Sequence, residues 1–246
     1  MAADEDATAA LAQAVERLRS GAFAFVDAGC SSGGSLDYCA RTFGQGRGVG
    51  FDRSPAKVAS ARAAGHEAYE ADLGKIELPA KSVLFVSLLD FLEHLPDLET
   101  TRVILERLAR VARDFLFIRH PSFEDIAYLR SLGLKLDWTD WHGHRNMMRL
   151  RDFESLCREF GWPAPTILAQ KPILDSDHPS ILPLSAPPDS VGYDASKHGP
   201  KPKLRFERPV YTQFDIFIGI NPALTPAQWF RITERVVSPQ AGTRRI

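Results

Sequence analysis

Residues 25–35 read FVDAGCSSGGS, and this stretch decides the fold. The apolar run Ala22–Val26 ends at Asp27, and Gly29, Gly33 and Gly34, interleaved with Cys30, Ser31 and Ser32, lead into a helical pattern. A buried strand, a tight turn and a helix N-terminus follow one another in that order. Glycine permits positive φ and removes the Cβ atoms that would hold a ligand away from the backbone. The turn is therefore a place where a ligand can lie close.

Strand and helix alternate on either side of it. Upstream, Leu11, Val15 and Leu18 predict a helix to about Arg19, capped by Asp6 or Thr8 and stopped by Ser20-Gly21. Downstream come a helix over 33–43, a short strand GVGFD ending at Asp52, and a helix opened by Ser54-Pro55. A third strand, HEAYEA, runs to Asp72. Residues 82–89, SVLFVSLL, form the most continuously apolar strand and end at Asp90; a helix over 97–112 and a fifth strand, DFLFIRH, follow. Short connections between alternating elements predict a Rossmann-like, doubly wound α/β sheet of seven strands with helices on both faces. The sheet should be mostly parallel, with its last strand, 213–220, antiparallel.

Past Pro121 the pattern loosens. A helical stretch PSFEDIAYLRSLG, a polar-aromatic segment DWTDWHGHRNMM, an amphipathic helix over 150–160 and a sixth strand over 165–174 are expected. Thr225-Pro226 should open a closing helix to Val237, with AGTRRI as a frayed tail. Residues 175–209, rich in Pro, Asp, Ser and Lys, are too long for a plain connection. They are a lid, an excursion over the site, or partly disordered.

Composition narrows the partners. With 30 basic and 31 acidic residues the net charge is −1, which provides no global field for a nucleic-acid backbone, so no nucleic-acid partner is expected. Three scattered cysteines make neither a disulfide framework nor a CxxC metal site. The acidic N-terminus lacks a leader pattern, and no apolar run approaches the roughly 20 residues of a membrane span. The expectation is a cytoplasmic protein with one domain over 1–246, its cofactor half at about 20–120 and its substrate side at about 121–210. Oligomeric state is not legible.

The first four strands end at or near an acid: Asp27, Asp52, Asp72 and Asp90. In an open parallel sheet ligands sit at that carboxyl edge, so the series predicts a ligand carrying an amine, hydroxyls or ring N–H donors. A dinucleotide site would need glycine where Ser31 stands, and Asp27 would repel a pyrophosphate; a P-loop would need Gly-Lys-Ser/Thr. A nucleoside without phosphates fits better.

These residues carry a family resemblance. VDAGCSSGG resembles the first motif of class I S-adenosylmethionine-dependent methyltransferases, GVGFDRSP their second-strand motif, and SLLDFLEHLPD the fourth-strand motif of the small-molecule branch that includes ubiquinone-biosynthesis methyltransferases. HGHRNMMRLRDFESLCREFGW is similar to that branch's segment before strand six, and the likeness spans about residues 20–172. The resemblance implies S-adenosyl-L-methionine as cofactor, with Gly29, Cys30 and Ser31 and nearby Asp27 and Gly33 around its methionine portion. It implies Asp52 on the ribose hydroxyls, Phe51 and Arg53 flanking the adenosine, and Asp72 with Leu73 at the adenine. Leu88 and Leu89 would line the floor, and Asp90 would face the charged end or the acceptor. Two positions depart from the pattern: Ser31 replaces a common glycine, and Lys81-Ser82-Val83 lacks the usual acid before strand four.

Methyl transfer from a sulfonium is largely a matter of holding donor and acceptor together, and a high-pKa oxygen or nitrogen acceptor also needs a base. His94, just past strand four, is the first candidate, or else a hydrogen-bonded spacer opening a loop. His120 at the end of strand five is a second candidate, or a solvated strand end. His142, His144 and Arg145, with Trp138 and Trp141, suit an anionic or sugar-like acceptor, or the aromatics merely cover the sheet. Asp140, His142 and His144 make a poor metal set, since two histidines at i and i+2 lack a well-spaced third ligand; no metal is expected. Cys30 reads as a bystander and Met147-Met148 as core filling. The expected function is methyl transfer to a small-molecule or glycan-type acceptor, at oxygen. The alternative is a non-catalytic cofactor- or partner-binding module. LLDFLEH contains no Asn/Asp-Pro-Pro-Tyr/Phe, which argues against nucleic-base N-methylation of that type.

Overall fold

The protein is described from a computed structural model over residues 2–44, 46–237 and 242–246, with the side chains of residues 2–8 left aside. Helix α1 spans Ala2–Arg19, so Asp6 and Thr8 lie within it and do not cap it. Strand β1 (Phe25–Ala28) leads through the glycine turn to α2 (Gly34–Phe43), then β2 (Gly48–Asp52), α3 (Pro55–Ala63), β3 (Ala68–Glu70) and β4 (Val83–Leu89). Helix α3 has the expected start, Pro55 at its first position and Ser54 Oγ accepting from Lys57 N–H. A single 3-10 turn, Leu92–His94, follows β4 and precedes α4 (Leu98–Val111), capped by Asp97, and β5 (Ala112–Pro121).

Next come α5 (Ile126–Ser131), β6 (Leu134–Leu136), α6 (Leu150–Glu159), β7 (Thr166–Asp175), β8 (Ile181–Pro183) and α7 (Ala195–His198). The chain closes with β9 (Arg205–Gly219), α8 (Pro226–Thr233) and β10 (Arg244–Arg245). Strand order in the main sheet is β3-β2-β1-β4-β5-β9-β7-β10. The first five strands are parallel, while β9 is antiparallel to both β5 and β7.

Two expectations are corrected. The sheet has eight strands rather than seven, because Arg244 and Arg245 pair with Ala169 and Leu168 and so turn the expected frayed tail into β10. The open edge of β7 offers unpaired backbone groups that a passing chain can satisfy, and Ile246 N–H continues the ladder to Ile167 O at 3.1 Å. The last predicted strand also begins earlier, at Arg205, and residues 175–209 are neither an open lid nor unstructured. Their strand β8 pairs with β6 in a separate two-stranded sheet. Leu129, Leu134, Leu136, Ile173, Ile181, Phe206 and Val210 make a small core of their own there. This cap rides on the far ends of β7 and β9, which stay paired out to Ile173 with Val210 and Asp175 with Arg205.

Alternation along the strands divides the main core. Phe25, Phe85, Phe115 and Phe117 face α2, α3 and α8, with Phe25 stacked on Phe85 and Phe85 on Phe115, each pair 4.9 Å apart. Val26, Val86, Leu116 and Ile118 face α1, α4 and α6. The chain leaves β1 toward β2 and β3, then returns to β4 on the other side. The carboxyl ends of β1 and β4 therefore bound the crevice where such sheets bind ligands.

Candidate active site

The turn after β1 is held by its own backbone. Gly29 (φ 74°), Ser31 (φ 48°) and Gly33 (φ 97°) all occupy positive φ. Gly29 and Cys30 N–H both donate to Phe51 O, at 2.8 and 3.1 Å, and Gly33 N–H to Cys30 O at 2.9 Å. Ser31 N–H donates to Asp52 Oδ2 at 3.0 Å, and Ser54 N–H to Asp52 Oδ1 at 2.9 Å. A Cβ on Gly29 would strike the Phe91 ring, and one on Gly33 the His66 ring. Glycine is required there by both backbone angle and space.

A cleft of about 990 Å³ opens over this turn. Its walls include Gly29, Cys30, Ser31, Phe51, Asp52 and Arg53 from the first two strand ends, with Asp72, Leu73, Leu89, Asp90 and His94 beyond them. Trp141, His142 and Arg145 rim it from the segment before α6. Asp72 Oδ1 accepts from Gly74 N–H at 2.9 Å. Asp90 (φ 49°) is exposed within the cleft, yet the surrounding walls withdraw enough water to raise its pKa, an effect that Arg119 opposes.

Several expected residues stand elsewhere. Asp27 is fully buried beneath the turn, accepting from Ser35 Oγ and, at 2.7 Å, from Ser87 Oγ. Burial pushes its carboxyl up to about 6, although both serines favour the charged form. Gly33 is buried under His66, and Leu88 points into the core on the α4 side while Leu89 lines the cleft. The Cys30 thiol packs on Gly50, and burial raises its pKa to about 12, which leaves it inert. Met148 fills the core, while Met147 is exposed.

His120 is also off the wall. On β5 it shares the face of Leu116 and Ile118, and its ring meets Phe123 and Phe153 edge-on at 5.4 Å. Its Nδ1 lies 2.8 Å from Pro121 O, its Nε2 is buried without a partner, and burial lowers its pKa to about 4. The neighbour on the opposite face, Arg119, is the one that reaches the cleft. Arg119 donates twice to the fully buried Asp215, at 2.7 and 3.1 Å, and once to Tyr38 Oη at 2.8 Å. Period-2 alternation from Phe115 and Phe117 already places residue 119 on that face.

At the other side of the cleft His94 Nδ1 lies 3.0 Å from Gly143 O. A carbonyl only accepts, so Nδ1 carries a proton, and in the neutral ring Nε2 carries the lone pair. His144 is fixed the same way, Nδ1 2.9 Å from Trp138 O, and its ring centre is 5.2 Å from that of His94. Burial lowers the His144 pKa. Beneath them Glu93 is 1% exposed, its Oε2 has no hydrogen-bond partner, and burial lifts its carboxyl to about 8. Glu93 was not anticipated as a site residue. Asp140, by contrast, pairs with the buried Lys135 at 2.6 Å, and His142 with Asp189 at 2.5 Å, so the metal set considered from sequence does not assemble.

The sheet order and the acid-rimmed crevice define a Rossmann-like methyltransferase fold. A family model described as a methyltransferase domain matches residues 3–164, well over half of the chain, and the chain belongs to that family. Among solved structures it is similar to a SAM-dependent methyltransferase from Archaeoglobus fulgidus, at 15% identity over 84% of this chain and 93% of that one, with a TM-score of 0.56. It is also similar to the YcgJ protein of Bacillus subtilis, at 14% identity over 87% and 98%, with a TM-score of 0.54. No curated protein matches. No helix among the described residues is long and apolar enough to cross a membrane.

Proposed function

We propose that the protein transfers a methyl group from S-adenosylmethionine to an oxygen of a small-molecule acceptor. The observation that carries this is the engaged backbone of the turn. The N–H groups of Gly29, Cys30, Ser31 and Gly33 all have acceptors within the protein, so they are not a nest for phosphate. Carboxylates of Asp52, Asp72 and Asp90 stand on the wall instead. That set of acceptors suits a cationic nucleoside and repels a pyrophosphate.

The residues fit this cofactor. Each Asp52 oxygen accepts one backbone N–H and keeps a lone pair for a ribose hydroxyl. Phe51 and Arg53 would flank the adenosine, with Asp72 and Leu73 at its base. When bound, the cofactor supplies an electrophilic methyl on a sulfonium. The chain's own task is to hold an acceptor beside it, and 990 Å³ lies at the top of the roughly 300–1,000 Å³ of ligand pockets, which leaves room for both. His94 presents the Nε2 lone pair that takes the hydroxyl proton. Trp141, His142 and Arg145 would choose an anionic or sugar-like acceptor, in keeping with the resemblance to ubiquinone-biosynthesis methyltransferases. The whole chain would act as one domain, residues 20–120 holding the donor and 121–210 shaping the acceptor side.

Isothermal titration of the full chain with S-adenosylmethionine and S-adenosylhomocysteine tests the donor. One molecule bound per chain is expected, and absence of heat in folded protein would overturn the proposal.

A further inference from the structure

We infer that Glu93, His94 and His144 bind a divalent cation of the zinc class at the acceptor end of the cleft. One ligand atom from each of the three lies within 4.8 Å of the others. Ligand atoms about 2.1 Å from one tetrahedral ion stand about 3.4 Å apart, so the three side chains would close on the ion by roughly an ångström.

Two independent features point to a cation, and a third holds their backbone in place. Both imidazoles are oriented by Nδ1–H bonds to backbone carbonyls, of Gly143 and Trp138, which leaves both Nε2 lone pairs free. Metal-binding histidines are fixed by such outer bonds as a rule. Glu93 Oε2 is buried and has no hydrogen-bond partner, a costly arrangement that a cation would relieve. Finally, the backbone that carries Glu93 is fixed. Its backbone O accepts from Asn146 N–H, and the Asn146 amide is itself anchored to Leu92 O and Thr101 Oγ1. These bonds tie the 3-10 turn of Glu93 and His94 to the segment that carries His144.

Two histidines and one carboxylate form a site with open coordination positions, one known to hold zinc in catalytic centres. His94 lines the cleft, so an open position there is within reach of an acceptor hydroxyl. Bound to the ion, that hydroxyl would release its proton to solvent at lower pH. His94 Nε2 would then be a ligand rather than a base. The inference bears on the acceptor side of the proposed function and rests on it only for that consequence.

Chelator-treated full-length protein is titrated with zinc chloride, and cobalt(II) chloride is followed by its visible absorption. One ion per chain is expected, with cobalt bands diagnostic of nitrogen and oxygen ligands at low coordination number. His144→Ala, checked for folding by circular dichroism, should weaken zinc binding by at least the ~10–100-fold that loss of an outer-shell partner costs. His94→Ala, at a more exposed position, serves if that variant misfolds. Zinc binding that is absent, or equal in wild type and both folded variants, overturns the inference. S-adenosylhomocysteine titrated into the same samples separates the two proposals. Cofactor binding without zinc binding sinks the ion site alone, and zinc binding without cofactor binding sinks the methyl-transfer function alone.

Discussion

Ser31 N–H and Asp52 Oδ2 lie 3.0 Å apart, and this bond ties the turn after β1 to the end of β2 through a side chain, beside the two main-chain bonds to Phe51 O. Asp52 is thus both a proposed ligand for ribose and a pin for the backbone that would surround the rest of the donor. Asp52→Ala should weaken S-adenosylhomocysteine binding by about 1.5–3 kcal/mol, the scale of hydrogen bonds to a charged group. Calorimetry checks it, and unchanged affinity would refute the ribose role.

Gly29→Ala imposes an L side chain on φ 74° and drives its Cβ into the Phe91 ring. The backbone part costs ~1–2 kcal/mol, and the collision adds to it. Combining it with Phe91→Ala should remove the collision and leave the backbone part, so the double variant will be more stable than the sum of the two single changes. Denaturant unfolding of the four proteins measures the difference.

Among the described residues, Arg119→Ala leaves the buried Asp215 with only Gln170 Nε2, 2.9 Å away, as a side-chain donor. A loss of about 3–5 kcal/mol is expected, as for other broken buried pairs. Arg119→Met with Asp215→Leu should recover most of it. Chemical denaturation decides, and equal instability of the two proteins would show that the pair itself is not responsible.

His120 gives a pH signature. Its pKa is about 4 when folded against ~6.5 when unfolded, so between those values the unfolded chain holds the extra proton. Stability therefore falls as pH drops from 6.5 toward 4, by up to ~3 kcal/mol from this group. His120→Gln, which cannot take up the proton, should flatten that part of the curve relative to wild type. Parallel curves for the two proteins would contradict the assignment.

His94→Ala should reduce turnover while leaving cofactor affinity intact, since the proposed function assigns this cleft-lining residue to the acceptor side. Single-turnover rates and calorimetry separate the two effects. A parallel loss of cofactor affinity would move His94 to the donor side.

Much of the first half of the fold was legible because its signals are local. Glycines at 29 and 33, the cap at Ser54 and the acids ending successive strands each follow from backbone geometry within a few residues. His120 was misplaced because strand end and strand face were not separated; counting from Phe117 puts Arg119 on the cleft side. The partner that makes Arg119 affordable in a core, Asp215, lies 96 residues away and is brought opposite only by the β5–β9 register. Glu93 and His144 likewise meet across 51 positions, and no local pattern announces that. The cap was hidden for a different reason: strands of three residues such as β6 and β8 carry too few apolar positions to register as a period.

The two long strands under the cap also bear on how the cap can move. A lid hung on one flexible loop can swing, but this cap is carried on β7 and β9 together, with ladder pairing from the sheet interior out to Asp175 and Arg205. Opening it would tear main-chain bonds along both strands. The stretch from Trp141 to Arg145 rims the cleft, and its contact with the segment after β8 includes the exposed His142–Asp189 pair. The cap is thus built as a wall continuous with the main sheet, not as a flap beside it.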